Sequence, residues 1–376
     1  MLYTIPDYYE AFSCTADACE DTCCAGWQIV VDEEALERYR AEKGPYRKKL
    51  REAICWRDGT FRQDPLRRCK FLKEDNLCEM YQQLGADSLC KTCRTYPRHT
   101  EEFEGVREIS LSLSCPEVTR MLVGRQEPVE FLNYEKEGEE EFDGFDPFLY
   151  SYLVDTRDLM LITLKNRRLP VENRMMLMLG MAHDLEERVK KGALFSCGDV
   201  LDTYRKETYF SAAARKAERY KMDWKRRYTF SRRTFAMIRK LELLQPEWKQ
   251  MRTETSRILF SGGWRGYRNL HKEFARAEVT GFDREILTEQ LLVYFIFTYF
   301  CGAVYDEKIF VNAQVAAGSV ALIWDFLAAR WLKNGKTLDQ DDVIEVIYRY
   351  SRELEHSDKN LKKIWKLLEK QEKLYR

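Results

Sequence analysis

Ten of the twelve cysteines of this 376-residue chain fall between Cys14 and Cys115, and no other feature limits its fold as strongly. A segment so rich in thiols either stores disulfides or gathers its sulfurs round a metal. The start, MLYTIPDYYEAF, has neither the basic n-region nor the apolar run of a signal peptide, so the expected compartment is the cytoplasm, where disulfides do not persist. The clustered cysteines therefore read as metal ligands, with buried free thiols as the alternative. Cys197 and Cys301 stand alone and read as small buried apolar residues.

The spacing is Cys14-x4-Cys19-x3-Cys23-Cys24, then Cys55, then Cys69-x8-Cys78-x11-Cys90-x2-Cys93, then Cys115. No short stretch closes a four-ligand site, so distant pairs must meet in space. Soft thiolates suit zinc or an iron–sulfur cluster. Zinc modules commonly pair two C-x2-C knuckles, and only Cys90 and Cys93 have that spacing. The count exceeds one tetrahedral zinc, which favours iron–sulfur. The C-x3-C-x2-C run of radical S-adenosylmethionine enzymes is missing, because Cys24 follows Cys23 at once.

Lys plus Arg and Asp plus Glu number 62 each, so net charge points to no polyanionic partner. The longest apolar stretch, Leu291 to Tyr305, is interrupted by Thr298 and Gly302 and falls short of the roughly 20 residues of a membrane span. It reads as a buried core helix, and no membrane association is expected. The acidic run Tyr134 to Pro147 reads as an exposed linker. It divides a cysteine-rich module, residues 1–133, from a helical domain, residues 148–376. The expected fold is mainly α, with an irregular cysteine module of short helices packed on an all-helical C-terminal domain. Asp32 is placed to cap a helix ending near Gly44-Pro45, and Asn312 to start one that runs to Leu332. Val154–Leu164, Met175–Val189 and Asp342–Leu354 carry apolar residues at helical spacing, and Ser357 caps a last helix. The alternation Glu108–Ser114 predicts a strand with Ile109, Leu111 and Leu113 on one face.

Several runs resemble the flagellin lysine-N-methylase family: CEDTCCAGWQIVVD (Cys19 to Asp32), CKFLKEDNLCEMYQQLGADSLCKTCRTYPR (Cys69 to Arg98) and SLSLSCPEVTR (Ser110 to Arg120). The middle run also resembles a broader zinc- or iron-chelating cysteine-cluster family through Cys93-Arg94-Thr95-Tyr96-Pro97. LTEQLLVYFIFTYFCGAVYD (Leu287 to Asp306) and YSRELEHSDKNL (Tyr350 to Leu361) resemble the methylases' C-terminal segments. The resemblance implies methyl transfer from S-adenosylmethionine to lysine side chains of flagellin, with a four-iron cluster, or zinc, in the cysteine module. By matching positions it makes Cys23, Cys24, Cys69, Cys78 and Cys93 the leading ligands, with Cys19, Cys90 and Cys115 in reserve. Cys14 and Cys55 are weaker candidates.

Methylating lysine requires an amine that has lost its proton, a held sulfonium and in-line approach. No G-x-G-x-x-G follows a strand, so a Rossmann-type donor site is not expected. His356, at a helix boundary beside Glu355, is a candidate to orient substrate or accept a proton, and Glu355 and Tyr350 complete the expected catalytic set. Trp264, in the glycine-rich turn Ser261 to Tyr267, is a candidate for the donor, as are Tyr294 and Tyr305. Core packing is the competing reading for these aromatics, and a plain interhelical loop for the turn. His99 is a weaker metal-ligand candidate. Two readings compete with the enzyme: a non-enzymatic metal-binding or iron–sulfur assembly scaffold, and nucleic-acid binding by the basic–aromatic segment Arg215–Lys240, with Tyr220 and Trp224. The acidic Glu218 and Asp223 in that segment argue for a solvated helix face instead.

Overall fold

The computed structural model describes residues 1–219 and 222–375. Tyr220 lies outside them, and so does the side chain of Glu218. The chain is mainly helical, as expected, and its long helices fill the C-terminal part. Two helices form the centre of the large core: Arg284–Tyr299, continued by a short 3-10 turn to Tyr305, and Ile309–Lys333. Counted through that turn, the first is 22 residues long, and by length and composition both would cross a membrane. Most of each is instead buried inside the protein, 78% and 67% of the apolar stretch. The apolar run is therefore longer than its interruptions suggested, but it packs as core.

Capping residues behave largely as the sequence predicts. Asp32 accepts a hydrogen bond from the Ala35 N–H at 3.0 Å and starts the helix Glu33–Ala41. The hydroxyl of Ser357 accepts one from the Asn360 N–H ahead of the last helix, Asp358–Tyr375. Asn312 does not cap. Its helix starts three residues earlier, and its buried amide bridges the Tyr299 carbonyl (3.2 Å) and the Trp365 indole (2.6 Å). A polar side chain inside an apolar helix is tolerated there because both ends of its amide are satisfied.

Six strands occur among the described residues: β1 (Leu2–Pro6), β2 (Ile54–Cys55), β3 (Thr60–Phe61), β4 (Arg98–Phe103), β5 (Val106–Leu111) and β6 (Phe131–Glu135). β4 and β5 form a hairpin that turns at Gly105, whose φ of +67° suits a residue without a Cβ. β1 then pairs parallel with β5, and β6 pairs antiparallel with β1. The expected strand is present, but its faces are not simply divided. Leu111 and Leu113 are buried, and so are Glu108 and Ser110. Glu108 can be buried because the Arg157 guanidinium, from helix Pro147–Lys165, meets its carboxylate at 2.5 Å.

Packing divides the chain differently from composition. A small core of Ile29, Leu36, Tyr39, Ile54, Phe61 and Phe71 belongs to the cysteine segment. Leu111, Leu113 and the helix Pro116–Val123 belong to the large helical core, although they precede the acidic run. That run has no buried residue, as expected of a linker, but it is anchored: Glu140 binds Arg107 at 2.5 Å and Glu104 accepts the Phe142 N–H. The apolar faces of the hairpin and of helix Pro116–Val123 find a large enough partner only among the long helices.

Inside the large core Glu289, fully buried, accepts two hydrogen bonds from Arg167 at 2.9 Å and one from Arg174 at 2.7 Å. Removing that carboxylate leaves the buried Arg174 only the Leu164 carbonyl and the more exposed Glu285 as partners. Glu289→Ala is expected to lower unfolding free energy by about 3–5 kcal/mol, measured by urea denaturation.

Candidate active site

The C-R-x-aromatic-P run ends the short helix Lys91–Thr95 and turns the chain into β4. The Tyr96 hydroxyl meets Ser114 Oγ at 3.0 Å, just after β5. Ser114 Oγ also meets Ser112 Oγ at 2.7 Å and His356 Nε2 at 2.7 Å. His356 is the residue that ends helix Gln340–Glu355. Trp27, from the cysteine segment, stacks on the His356 ring with centroids 4.3 Å apart, and its indole N–H is held by the Cys23 carbonyl at 2.7 Å. The imidazole is thus fixed from two sides by parts of the chain more than 200 residues away.

Beside it the Glu355 carboxylate accepts hydrogen bonds from the Tyr294 hydroxyl (2.6 Å) and Ser351 (2.8 Å). Both Glu355 and His356 line a cavity of about 750 Å³ between the cysteine segment and the last helices. Trp27, Tyr96, Tyr299 and Trp365 add aromatic faces to it, and Glu101 and Asp306 add carboxylates. A space of this size suits a nucleoside-sized ligand together with an extended side chain.

Burial disfavours charge on both neighbours and so drives them in opposite directions. The His356 pKa is pushed down to about 3 by burial, helped by the nearby positive charges of Arg352 and His99. The ring is therefore neutral at physiological pH and a poor proton acceptor. Glu355 is raised by burial against the opposing hydrogen bonds from Tyr294 and Ser351. Tyr294 and Tyr299 are raised well above their ordinary value, chiefly by burial, so both remain hydroxyl donors. Partial burial opposes charge on His99, but the Glu101 carboxylate 2.7 Å away outweighs it and raises the pKa.

The structure brings only some of the expected residues together. Tyr294 supports Glu355 from behind the cavity. Tyr350 is buried in the core against Trp248 and Phe326 and does not reach the cavity. Tyr305 is 57% exposed and donates to the Glu102 carbonyl, outside it. Trp264 lies at the start of helix Gly263–Arg276, where Lys225, Arg265 and Arg268 crowd its ring at 5.3–5.5 Å. Three cations already occupy its surroundings, so a sulfonium there would meet like charge. Sequence reasoning missed Trp27 and Ser114 as partners of His356, and Tyr299 and Trp365 as walls of its cavity. Trp27 and Ser114 sat in the quoted runs, but nothing local joined them.

All twelve cysteines are free thiols. Cys24 and Cys69 are joined through their backbones by a 2.8 Å hydrogen bond. Cys69 feels the charges of Cys24, Cys78 and Cys90, and Cys93 those of Cys90, Cys24 and Cys69, whereas Cys23 pairs chiefly with Cys24. Burial pushes Cys69 up to about 12, while a hydrogen bond from Cys23 draws Cys24 down to about 7. The donor chemistry of these thiols suits a soft metal. Their placement does not close a site: among the described residues no three His, Cys, Asp or Glu side chains are arranged to hold a metal ion. Cys55 stands apart and donates to Asp58. Cys197 and Cys301 are buried, as expected.

Residues 157–376 match the family described as the FliB lysine N-methylase C-terminal domain. A lysine-N-methylase of Salmonella typhimurium strain LT2 is 32% identical over 128 residues, 32% of this chain and 32% of that relative. The flagellar biosynthetic protein FliU of Salmonella muenchen is also 32% identical over 128 residues, which cover 76% of its length. The match thus spans about a third of the first relative and most of the second. No solved structure matches. With more than half of its length covered by the family's C-terminal domain, the chain belongs to the FliB lysine N-methylase family.

Proposed function

We propose that this protein transfers a methyl group from S-adenosylmethionine to lysine side chains of flagellin, in the cavity at the end of helix Gln340–Glu355. The observation that carries the reading is the Glu355 carboxylate, raised by burial and facing a 750 Å³ cavity with aromatic walls. Family membership and the relatives' names support it. Carboxylates and aromatic faces attract an ammonium or a sulfonium. The donor supplies a methyl carbon activated by positive sulfur. Glu355 is placed to accept the lysine proton, freeing the Nζ lone pair to form the N–C bond as the C–S bond breaks and the thioether leaves. His356, neutral and fixed by Ser114 and Trp27, positions rather than deprotonates. The transfer balances without an electron, so no step runs through a cluster.

On the same reading the cysteine segment carries a four-iron cluster, or zinc, as structural support, and the protein works in the cytoplasm.

Flagellin co-expressed with this protein is expected to gain 14-dalton steps on lysine in mass spectra; an unmodified flagellin refutes the substrate assignment. Glu355→Gln is expected to lower kcat by about 10²–10⁴-fold while calorimetry shows donor affinity retained. Protein purified without oxygen should be brown, and a colourless preparation with stoichiometric zinc decides for zinc.

The pH dependence of stability follows from His356. Between its unfolded value near 6.5 and its folded value of about 3, only the unfolded chain takes up the proton. Stability is therefore lost as pH falls below about 6.5, with a slope approaching 1.4 kcal/mol per pH unit for one proton. His356→Asn is expected to remove that component, visible as a smaller loss between pH 7 and pH 5 in urea titrations.

A further inference from the structure

The lining of the same cavity also carries charge opposite to the carboxylates described above. Lys91, Arg98, Lys308, Lys362 and Lys366 line it. Among the described residues Lys91, Arg98, Lys362 and Lys366 have no carboxylate within ion-pair distance, and Lys308 lies 3.9 Å from Asp306 and Glu369. Lys362 and Lys366 are exposed and spaced one helical turn apart, so they share a face of the last helix. Lys91 is exposed on the short helix that precedes Tyr96. Against these five cations the lining sets three carboxylates, of which Glu101 meets His99 and Asp306 lies near Lys308, so positive charge remains in excess. In a chain with equal numbers of acids and bases, such a local excess of unpaired cations is not a property of the whole surface.

A lysine entering this cavity meets like charges on the same walls that hold Glu355. A segment rich in further lysines is repelled, whereas one bearing carboxylates beside the target is drawn in. Resting on the function proposed above, we infer that the site selects lysines flanked by acidic residues on its protein substrate, through Lys91, Lys362 and Lys366. These act as specificity residues and take no part in the chemistry.

The test uses the full chain and two fluorescent peptides, each with one lysine flanked on both sides by glutamates or by glutamines. Anisotropy at low ionic strength is expected to show the glutamate peptide binding about tenfold tighter, with the gap closing in high salt. The double variant K362E/K366E should abolish the gap, and K91E should narrow it, while calorimetry shows S-adenosylmethionine binding as before. Equal affinity for both peptides overturns the inference. So does a gap that survives in both variants, or a loss that falls on the donor instead, which would assign the cations to its carboxylate. Equal methylation of the two peptides removes the selectivity and leaves the enzyme; no transfer to either peptide or to flagellin removes both.

Discussion

Arg352 holds the two parts of this protein in register. Its guanidinium is 1% exposed on helix Gln340–Glu355 and donates to the Asp21 carbonyl at 3.0 Å, the Asp21 carboxylate at 2.7 Å and the Ser114 carbonyl at 3.0 Å. A buried cation without such partners costs several kcal/mol, so the three groups cannot drift from one another. Asp21 belongs to the cysteine segment, Ser114 follows the hairpin, and Arg352 lies one turn from His356. Neighbouring ties reinforce the junction, with Arg67 donating to the Leu243 carbonyl and Gln245 to Asp21. Gly26 lies where a Cβ would come within 2.9 Å of Gln245, and its φ of +92° suits glycine alone. The stack of Trp27 on His356 and the cavity beside it follow from this registration.

The same guanidinium shapes the chemistry. Glu355 and His356 are adjacent in sequence, yet their shared burial keeps basicity on the carboxylate and removes it from the imidazole. Arg352 adds to the second effect by repelling a proton from the ring. Pairs of titratable groups pushed apart by environment mark acid–base assignments, and on the proposed function that assignment falls on the carboxylate. The hydroxyls of Tyr294 and Ser351 hold that carboxylate without neutralising it.

Much of the fold is legible in the chain because helical periodicity and capping are local. Asp32 and Ser357 cap where their neighbours say they should. Asn312 does not, since its partners are a carbonyl 13 residues back and an indole 53 residues on. The acidic run looked like a boundary because like charges repel. Arg107, distant in sequence, neutralises part of it and ties it to the sheet. At the site, His356 and Glu355 were readable from their place at a helix end. The aromatics were not, because an aromatic at helical spacing looks the same whether it faces a core, as Tyr350 does, or a cavity, as Tyr299 does.

By itself the sequence determined that the chain is mainly helical, that its cysteines gather toward the N-terminal side, and which family its motifs resemble. Those properties rest on composition, spacing and period, which each segment carries with it. Tertiary structure alone decided where the cores divide, that the catalytic candidates meet the cysteine segment at one junction, and that His356 is neutral. Burial and desolvation depend on what packs from elsewhere in the chain, and no window of sequence contains that information.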